Sequence, residues 1–266
     1  MLEPLRQMFR GRRAAPAHAV PDGERYYVVG DIHGRLDLFS ALVEAMEADD
    51  AASAEARTTI VLLGDLVDRG PDSAGVIALA RRLHERREVR LLAGNHEEMF
   101  LESFEDAEVL RHFLRHGGRE TILSYGIDRL EYNNAELHDL QEIMRAAVPR
   151  EDREFLESFD EYMIAGDYLF VHAGIDPAVP LEDQKRRDML WIRERFLRHG
   201  AAHSHMIVHG HSISEDVDER SNRIGLDTGA FRTGRLTAVV LEGTSRRYIQ
   251  AVENDGDIRI ESRSSR

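Results

Sequence analysis

Apolar and polar positions alternate in blocks along this chain, and the blocks recur. Tyr26-Tyr27-Val28-Val29, Ile60-Val61-Leu62-Leu63, Val89-Arg90-Leu91-Leu92, Tyr168-Leu169-Phe170-Val171 and Met206-Ile207-Val208 are short β-prone runs. Runs of this length, bounded by glycine and polar residues, read as buried strands. After the first, Leu36, Phe39, Leu42, Val43 and Met46 return at helical spacing; after the second, Val76, Ile77, Ala80 and Leu83 do the same. Strand, loop and helix following one another three times over imply parallel strands in an α/β fold. The loops at the strands' carboxyl ends then gather along one edge.

From Met99 to about Phe159 the pattern is mainly helical, with Phe104, Leu110, Phe113 and Leu114 before Gly117-Gly118 and Leu137, Leu140, Ile143 and Met144 before Pro149. It reads as an inserted helical cap, about residues 98–162, that shapes access to the loops. Met189 to Phe196 reads as a helix-like piece. Leu226-Asp227-Thr228-Gly229, Leu236 to Val240 and Tyr248 to Gln250 read as short strands joined by tight turns, which form a second sheet or complete the first. The boundaries that follow are a flexible tail over residues 1–24 and a single domain over residues 25–262. In that tail Leu2, Leu5, Met8 and Phe9 stand against Arg6, Arg10, Arg12 and Arg13. A frayed end is the expectation, ahead of a membrane-surface helix.

At 266 residues the chain has room for one large domain with a sizeable core. Its 35 Lys plus Arg against 49 Asp plus Glu give a net charge of -14, which argues against tracking a nucleic-acid backbone. Cysteine is absent. That removes disulfides, thiolate metal sites and a cysteine nucleophile for phosphate esters, and leaves oxygen and imidazole as metal ligands. No apolar run approaches about eighteen residues, and the first ten residues lack the apolar centre of a signal peptide. No stable membrane insertion is expected, and the cytoplasm is the expected location.

The polar loops carry the chemistry. In Gly30-Asp31-Ile32-His33-Gly34, side chains two apart in an extended segment project to one side, so Asp31 and His33 can meet one cation. Gly64-Asp65-Leu66-Val67-Asp68-Arg69-Gly70-Pro71 sets two carboxylates and a guanidinium within five residues, poor material for a core. Pro71 suits a first helical position, so the positive end of the next helix lies near Arg69, where an anion is welcome. Gly94-Asn95-His96-Glu97, His172-Ala173-Gly174 and His209-Gly210-His211-Ser212 complete the set. Alone, an Asp-x-His is as well explained by a turn, and a histidine at a strand end by a core contact. Five such loops point to one site. His112, His116 and His138, on a polar helical background, read as surface residues.

Gly-Asp-x-His-Gly, Gly-Asp-x-Val-Asp-Arg-Gly, Gly-Asn-His-Glu, His-Ala-Gly and a late Gly-His, in this order, resemble the signature of the calcineurin-like metallophosphoesterases. Within them the chain closely resembles the phosphoprotein phosphatases of the compact bacterial and lambda-phage type, over roughly residues 25–242. The resemblance implies a four-layer α/β sandwich, two mixed β-sheets flanked by helices, holding two divalent metal ions. Asp31 and His33 resemble ligands of the first, Asp65 the carboxylate shared by both, and Asn95, His172 and His211 ligands of the second. Gly-His selects His211 over His209, which is left a supporting or substrate-contacting place. Mixed oxygen and imidazole donors suit Mn²⁺, with Fe, Zn²⁺ or Co²⁺ as alternatives, and disfavour Ca²⁺.

The implied reaction is hydrolysis of a phosphomonoester by in-line attack of a metal-bridging hydroxide. His96 resembles the general acid, Asp68 the carboxylate that orients it and Arg69 the first phosphate clamp. Arg193 is the choice for a second clamp, with Arg195 close behind. A phosphorylated protein or small phosphoester is the expected substrate, and a serine/threonine protein phosphatase the expected enzyme. Asp68 is retained where symmetrical dinucleoside tetraphosphatases usually have a small residue, and Asn95-His96-Glu97 fits the phosphatases better than Asn-His-Asp. Symmetrical dinucleoside tetraphosphate hydrolysis is the alternative; a phosphate-binding scaffold without turnover is a third reading.

Overall fold

Alternation along the first strand sets the layering. The computed structural model describes residues 17–265. In β1 (Glu24–Val29), Tyr26 and Val28 face one way, Tyr27 and Val29 the other, and all four are buried. A strand covered on both faces has that pattern. On one side Tyr27 and Val29 pack with Leu38, Phe39 and Leu42 of α1 (Leu36–Ala52). The same cluster takes in Ile60 and Leu62 of β2 (Arg57–Leu62), Val76 and Ile77 of α2 (Ser73–Arg86) and Leu91 of β3 (Val89–Leu91). β1, β2 and β3 are parallel neighbours.

The helical segment follows as α3 (Asn95–Glu102), α4 (Ala107–Phe113), a turn kinked at Gly117 (Leu114–Gly118), α5 (Arg119–Ser124), α6 (Arg129–Asn134), α7 (Leu137–Ala147) and α8 (Arg150–Glu157). The chain then enters a second sheet through β4 (Tyr162–Ala165) and β5 (Tyr168–Val171). It passes α9 (Arg186–Trp191) and α10 (Glu194–Leu197), and returns as β6 (Met206–His209), β7 (Asp218–Glu219) and β8 (Arg223–Gly225). After α11 (Ala230–Thr233), β9 (Arg235–Glu242), β10 (Ser245–Asn254) and β11 (Asp257–Ser264) extend the first sheet. The sheets run β11-β10-β9-β1-β2-β3 and β4-β5-β6-β8-β7, both mixed.

Between the sheets, Tyr26, Val28, Val61 and Leu63 meet Phe170, Val208, Ile224 and Leu226. Beyond the second sheet, Leu169, Val171 and Ile207 pack on Met189, Ile192 and Phe196 of the α9–α10 region. Helices, sheet, sheet and helices make the four layers. β1, β2, β3, β5 and β6 all end at the same edge of this sandwich, which brings their loops together. Among the described residues no helix is long and apolar enough to cross a membrane.

Four expectations change. The fold begins before residue 25: the Val20 N–H donates to the Gly243 carbonyl at 3.0 Å, Ala19 N–H to Asp167 at 2.9 Å, and Val20 is buried. The amphipathic stretch from Leu2 to Arg13 lies outside the described residues. β4 precedes the strand read at residue 168, its short sequence carrying no clear alternation. Met189 to Phe196 is broken, because Ile192 is extended at φ -63°, ψ 142° and Arg193 has non-helical angles. Leu226 to Gly229 is a loop: only the Leu226 N–H, donating to the His209 carbonyl at 2.8 Å, continues the pairing of β6 with β8, and the bonds beyond it go to turns and side chains.

Candidate functional site

The loops hold unusual backbone. Among the described residues six other than glycine have positive φ, and five are His33 (47°), Asp65 (51°), Asp68 (75°), Arg69 (68°) and His211 (62°). Left-handed angles cost non-glycine residues energy and persist only where surroundings impose them. One agent here is Glu97, whose buried carboxylate accepts N–H bonds from Asp65 (2.8 Å), Leu66 (2.7 Å), Val67 (3.3 Å) and Gly94 (3.0 Å). One side chain thus clasps two loops. Close packing does the rest: a Cβ on Gly210 would stand 2.0 Å from Asp31 Oδ1, and one on Gly94 2.3 Å from Asp65 Oδ1.

Asp31, His33, Asp65, Asn95, His172 and His211 are brought together and buried. Asp65 faces both ways: Oδ2 is 3.5 Å from His33 Nε2, and Oδ1 is 3.4 Å from His172 Nε2. Asp65, His172 and His211 present ligand atoms mutually within 4.8 Å, as do His33, Asp65 and His96. Asp31 joins through the His211 N–H, which donates to both its oxygens at 3.0 and 3.1 Å.

The donor chemistry fits cations. His33 Nδ1–H donates to the Val67 carbonyl (2.7 Å) and His172 Nδ1–H to that of Leu63 (2.8 Å), leaving each Nε2 as a lone pair. Asn95 Oδ1 lies 3.0 Å from His172 Nε2, so two acceptors converge, with Asp65 Oδ1 nearby. His211 Nε2 is buried without a hydrogen-bond partner. Burial lowers the pKa of His33, His172 and His211, keeping the imidazoles neutral as ligation requires. Burial alone would raise that of Asp65, and among the facing rings His96, whose own pKa is raised, favours the carboxylate.

Beside this cluster His96 Nδ1 donates to Asp68 Oδ2 at 2.5 Å. Asp68 is fixed in turn by Thr121, whose hydroxyl donates to Oδ1 at 2.6 Å and accepts the Asp68 N–H at 2.8 Å. Burial opposes charge on His96, but Asp65 and Asp68 outweigh it and raise the imidazole's pKa. Arg69 donates to His33 Nε2 (2.7 Å) and His96 Nε2 (2.8 Å), and its guanidinium lies 4.7 Å from the ring centre of Phe231. The Arg69 N–H donates to the Gly117 carbonyl at 3.1 Å, so the helical insertion touches the loop through Gly117 and Thr121.

Arg193 is exposed on the linker between α9 and α10, near enough to lower the pKa of His172 and His211. Arg195 points elsewhere, paired with Asp176 (2.9 Å) and Asp188 (2.7 Å). His209 stands apart from both ligand groups: its ring packs edge-on to Phe196, 5.1 Å between centres, and its Nδ1 meets the Gly210 carbonyl. His112 and His116 are exposed near Trp191 and belong to neither group. Glu97, Thr121, Gly117 and Phe231 were not marked as site residues by sequence. A carboxylate that must be buried three residues into a loop-helix junction, and a double glycine inside a helical pattern, were the available signals.

The calcineurin-like phosphoesterase profile matches residues 24–232. A bis(5'-nucleosyl)-tetraphosphatase (asymmetrical) of Bacillus velezensis is 32% identical over 155 residues, 56% of each chain. Serine/threonine-protein phosphatase 1 of Salmonella typhimurium is 29% identical over 79% of this chain and 89% of its own length. Among solved structures, a putative diadenosine tetraphosphatase superimposes with a TM-score of 0.58 at 22% identity, covering 92% of this chain and 98% of its own.

Proposed function

The chain belongs to the calcineurin-like phosphoesterase family, and from that premise we propose that it hydrolyses phosphomonoesters of serine and threonine in proteins. Asp31, His33 and Asp65 would hold one divalent ion, and Asp65, Asn95, His172 and His211 a second, Mn²⁺ being the ion expected. Such ions supply a water of lowered pKa and neutralise phosphate charge. Arg69 binds and orients the phosphate, with Phe231 flanking its guanidinium, and Arg193 approaches from the rim. His96, its ring fixed by Asp68 through Nδ1, would carry a proton at Nε2 for the departing oxygen once Arg69 has turned from that nitrogen to the phosphate.

The observation that carries the reading is the 2.5 Å contact between His96 and Asp68, itself anchored by Thr121. A serine or threonine alkoxide is a poor leaving group and needs a proton in the transition state. A polyphosphate leaving group needs one far less. A braced, proton-retaining imidazole is therefore most useful to an enzyme of alkyl phosphates.

Hydrolysis of dinucleoside tetraphosphates is the second reading. A cavity of about 440 Å³ lined by Arg69, Arg115, His116, Gly117, Ile213 and Phe231 favours it, since cations beside an aromatic ring suit a phosphate chain ending in a base. The Bacillus velezensis relative is named for an asymmetrical activity, so the asymmetrical cleavage joins the symmetrical one as a candidate. Metal-free protein given Mn²⁺ and assayed in parallel on a phosphoserine peptide, an aryl phosphate and diadenosine tetraphosphate separates these. Turnover of the first two supports the phosphatase. A preference for the nucleotide by orders of magnitude in kcat/KM overturns it, and silence on all three leaves a phosphate-binding scaffold.

A further inference from the structure

Asp227 has no part in the reaction above, yet it is 1% exposed and carries a carboxylate into the interior. The backbone explains how it gets there. Gly30, at the end of β1, approaches Leu226 so closely that a Cβ on it would lie 2.6 Å from the Leu226 carbonyl oxygen. The next residues, Asp31 and Asp227, therefore leave the two facing sheets side by side. Asp227 Oδ1 accepts the Gly229 N–H at 2.9 Å, and the Asp227 carbonyl accepts the Ser214 N–H at 2.9 Å, so the side chain is held in place. Its Oδ2 is buried with no hydrogen-bond partner among the described residues. Two adjoining buried carboxylates, one with a bare oxygen, are costly without a cation.

We propose that Asp227 is a third carboxylate of the first metal position and makes the two positions chemically unequal. This rests on the two-ion reading above. With Asp227, the first position has the carboxylates of Asp31, Asp65 and Asp227 and one imidazole, His33. The second shares Asp65 and adds Asn95 and two imidazoles, His172 and His211. Oxygen-rich sites suit Mn²⁺ and Mg²⁺, whereas imidazole-rich sites accept Zn²⁺ more readily. The first position is then the Mn²⁺-preferring one, and Asp227 sets that preference without touching substrate.

Calorimetric titration of the full, metal-stripped chain with Mn²⁺, and separately with Zn²⁺, tests this. Asp227→Asn keeps an oxygen for the Gly229 N–H and removes only the charge. It should weaken Mn²⁺ at one of two binding steps by about 10–100-fold, as loss of a supporting ligand commonly does, and weaken Zn²⁺ less. Two ions bound by both proteins with unchanged affinities, or equal weakening at both steps, would overturn the inference alone. Fewer than two ions bound by the wild type would overturn the two-ion reading with it. Should Asp227→Asn not fold, the wild type still decides: the Mn²⁺-to-Zn²⁺ affinity ratio must differ between its two steps, and equal ratios sink the idea.

Discussion

The backbone N–H of Arg69 donates to the carbonyl of Gly117 across 3.1 Å, tying the proposed phosphate clamp to a kink between two helices of the insertion. The kink delivers Gly117, at φ 105°, against the Arg69 backbone.

Gly117→Ala should therefore damage the clamp more than the fold. A Cβ there would sit 2.7 Å from both Arg69 N and Arg69 Cγ. Gly126, at φ 80° with nothing within 4 Å of a Cβ, is the control for backbone strain alone. Both alanine variants should lose about 1–2 kcal/mol of stability from the left-handed backbone. Only Gly117→Ala should also lower kcat/KM, and equal kinetics in the two would separate the turn from Arg69.

His96→Asn is expected to lower turnover of a phosphoserine peptide by about 10²–10⁴-fold. The loss should be smaller for nitrophenyl phosphate, whose leaving group needs no proton, with bound metal unchanged by elemental analysis. Matching losses on both substrates would remove His96 as the proton donor.

Arg193 and Arg195 should part company. If Arg193 makes a charge-assisted hydrogen bond to phosphate, its replacement by alanine costs about 1.5–3 kcal/mol, or roughly 10–100-fold in kcat/KM. Arg195, exposed and paired with Asp176 and Asp188, should cost under about 1 kcal/mol in stability and nothing in kcat/KM. Steady-state kinetics and thermal melts of both variants check the assignment.

Acid should act on a pair far from the site. Burial alone would raise the pKa of Asp49, but hydrogen bonds from Arg247 (2.5 and 2.6 Å) and Tyr27 (2.5 Å) bring it below the ordinary value. A lowered folded-state pKa gives stability that is complete above the unfolded pKa of about 4 and fades as pH falls through the folded one. Asp49→Asn should lower Tm at pH 7, and the gap from wild type should close progressively on acidification below about pH 4. A gap that stays constant across that range would rule out this linkage.

Much of this was legible because two periodicities were clean. Val28 and Val29 end a strand buried on both faces, and Leu38, Phe39 and Leu42 follow at helical spacing, so the first sheet and its helices could be read directly. The six candidate ligands could be picked out because each lies within four residues of a strand's carboxyl end. Other features depend on contacts between distant segments. Thr121 looks like an ordinary helical residue until it meets Asp68, 53 positions earlier. Glu97 binds loop amides 30 to 32 residues away, and no local pattern records that. The break at Ile192-Arg193 likewise follows from the packing of Ile192 and Phe196 under the second sheet, where residue spacing alone suggested a continuous helix.

Arg69 bonds to His33 Nε2 and His96 Nε2 at once. A nitrogen lone pair serves one partner at a time, so an ion taken up at His33 must evict the guanidinium from that bond, and a protonated His96 Nε2 would repel it from the other. Arg69, already 4.7 Å from the centre of the Phe231 ring, would then be free to turn its donors to an anion. The two nitrogens that restrain this guanidinium are thus the ones whose other partners would release it.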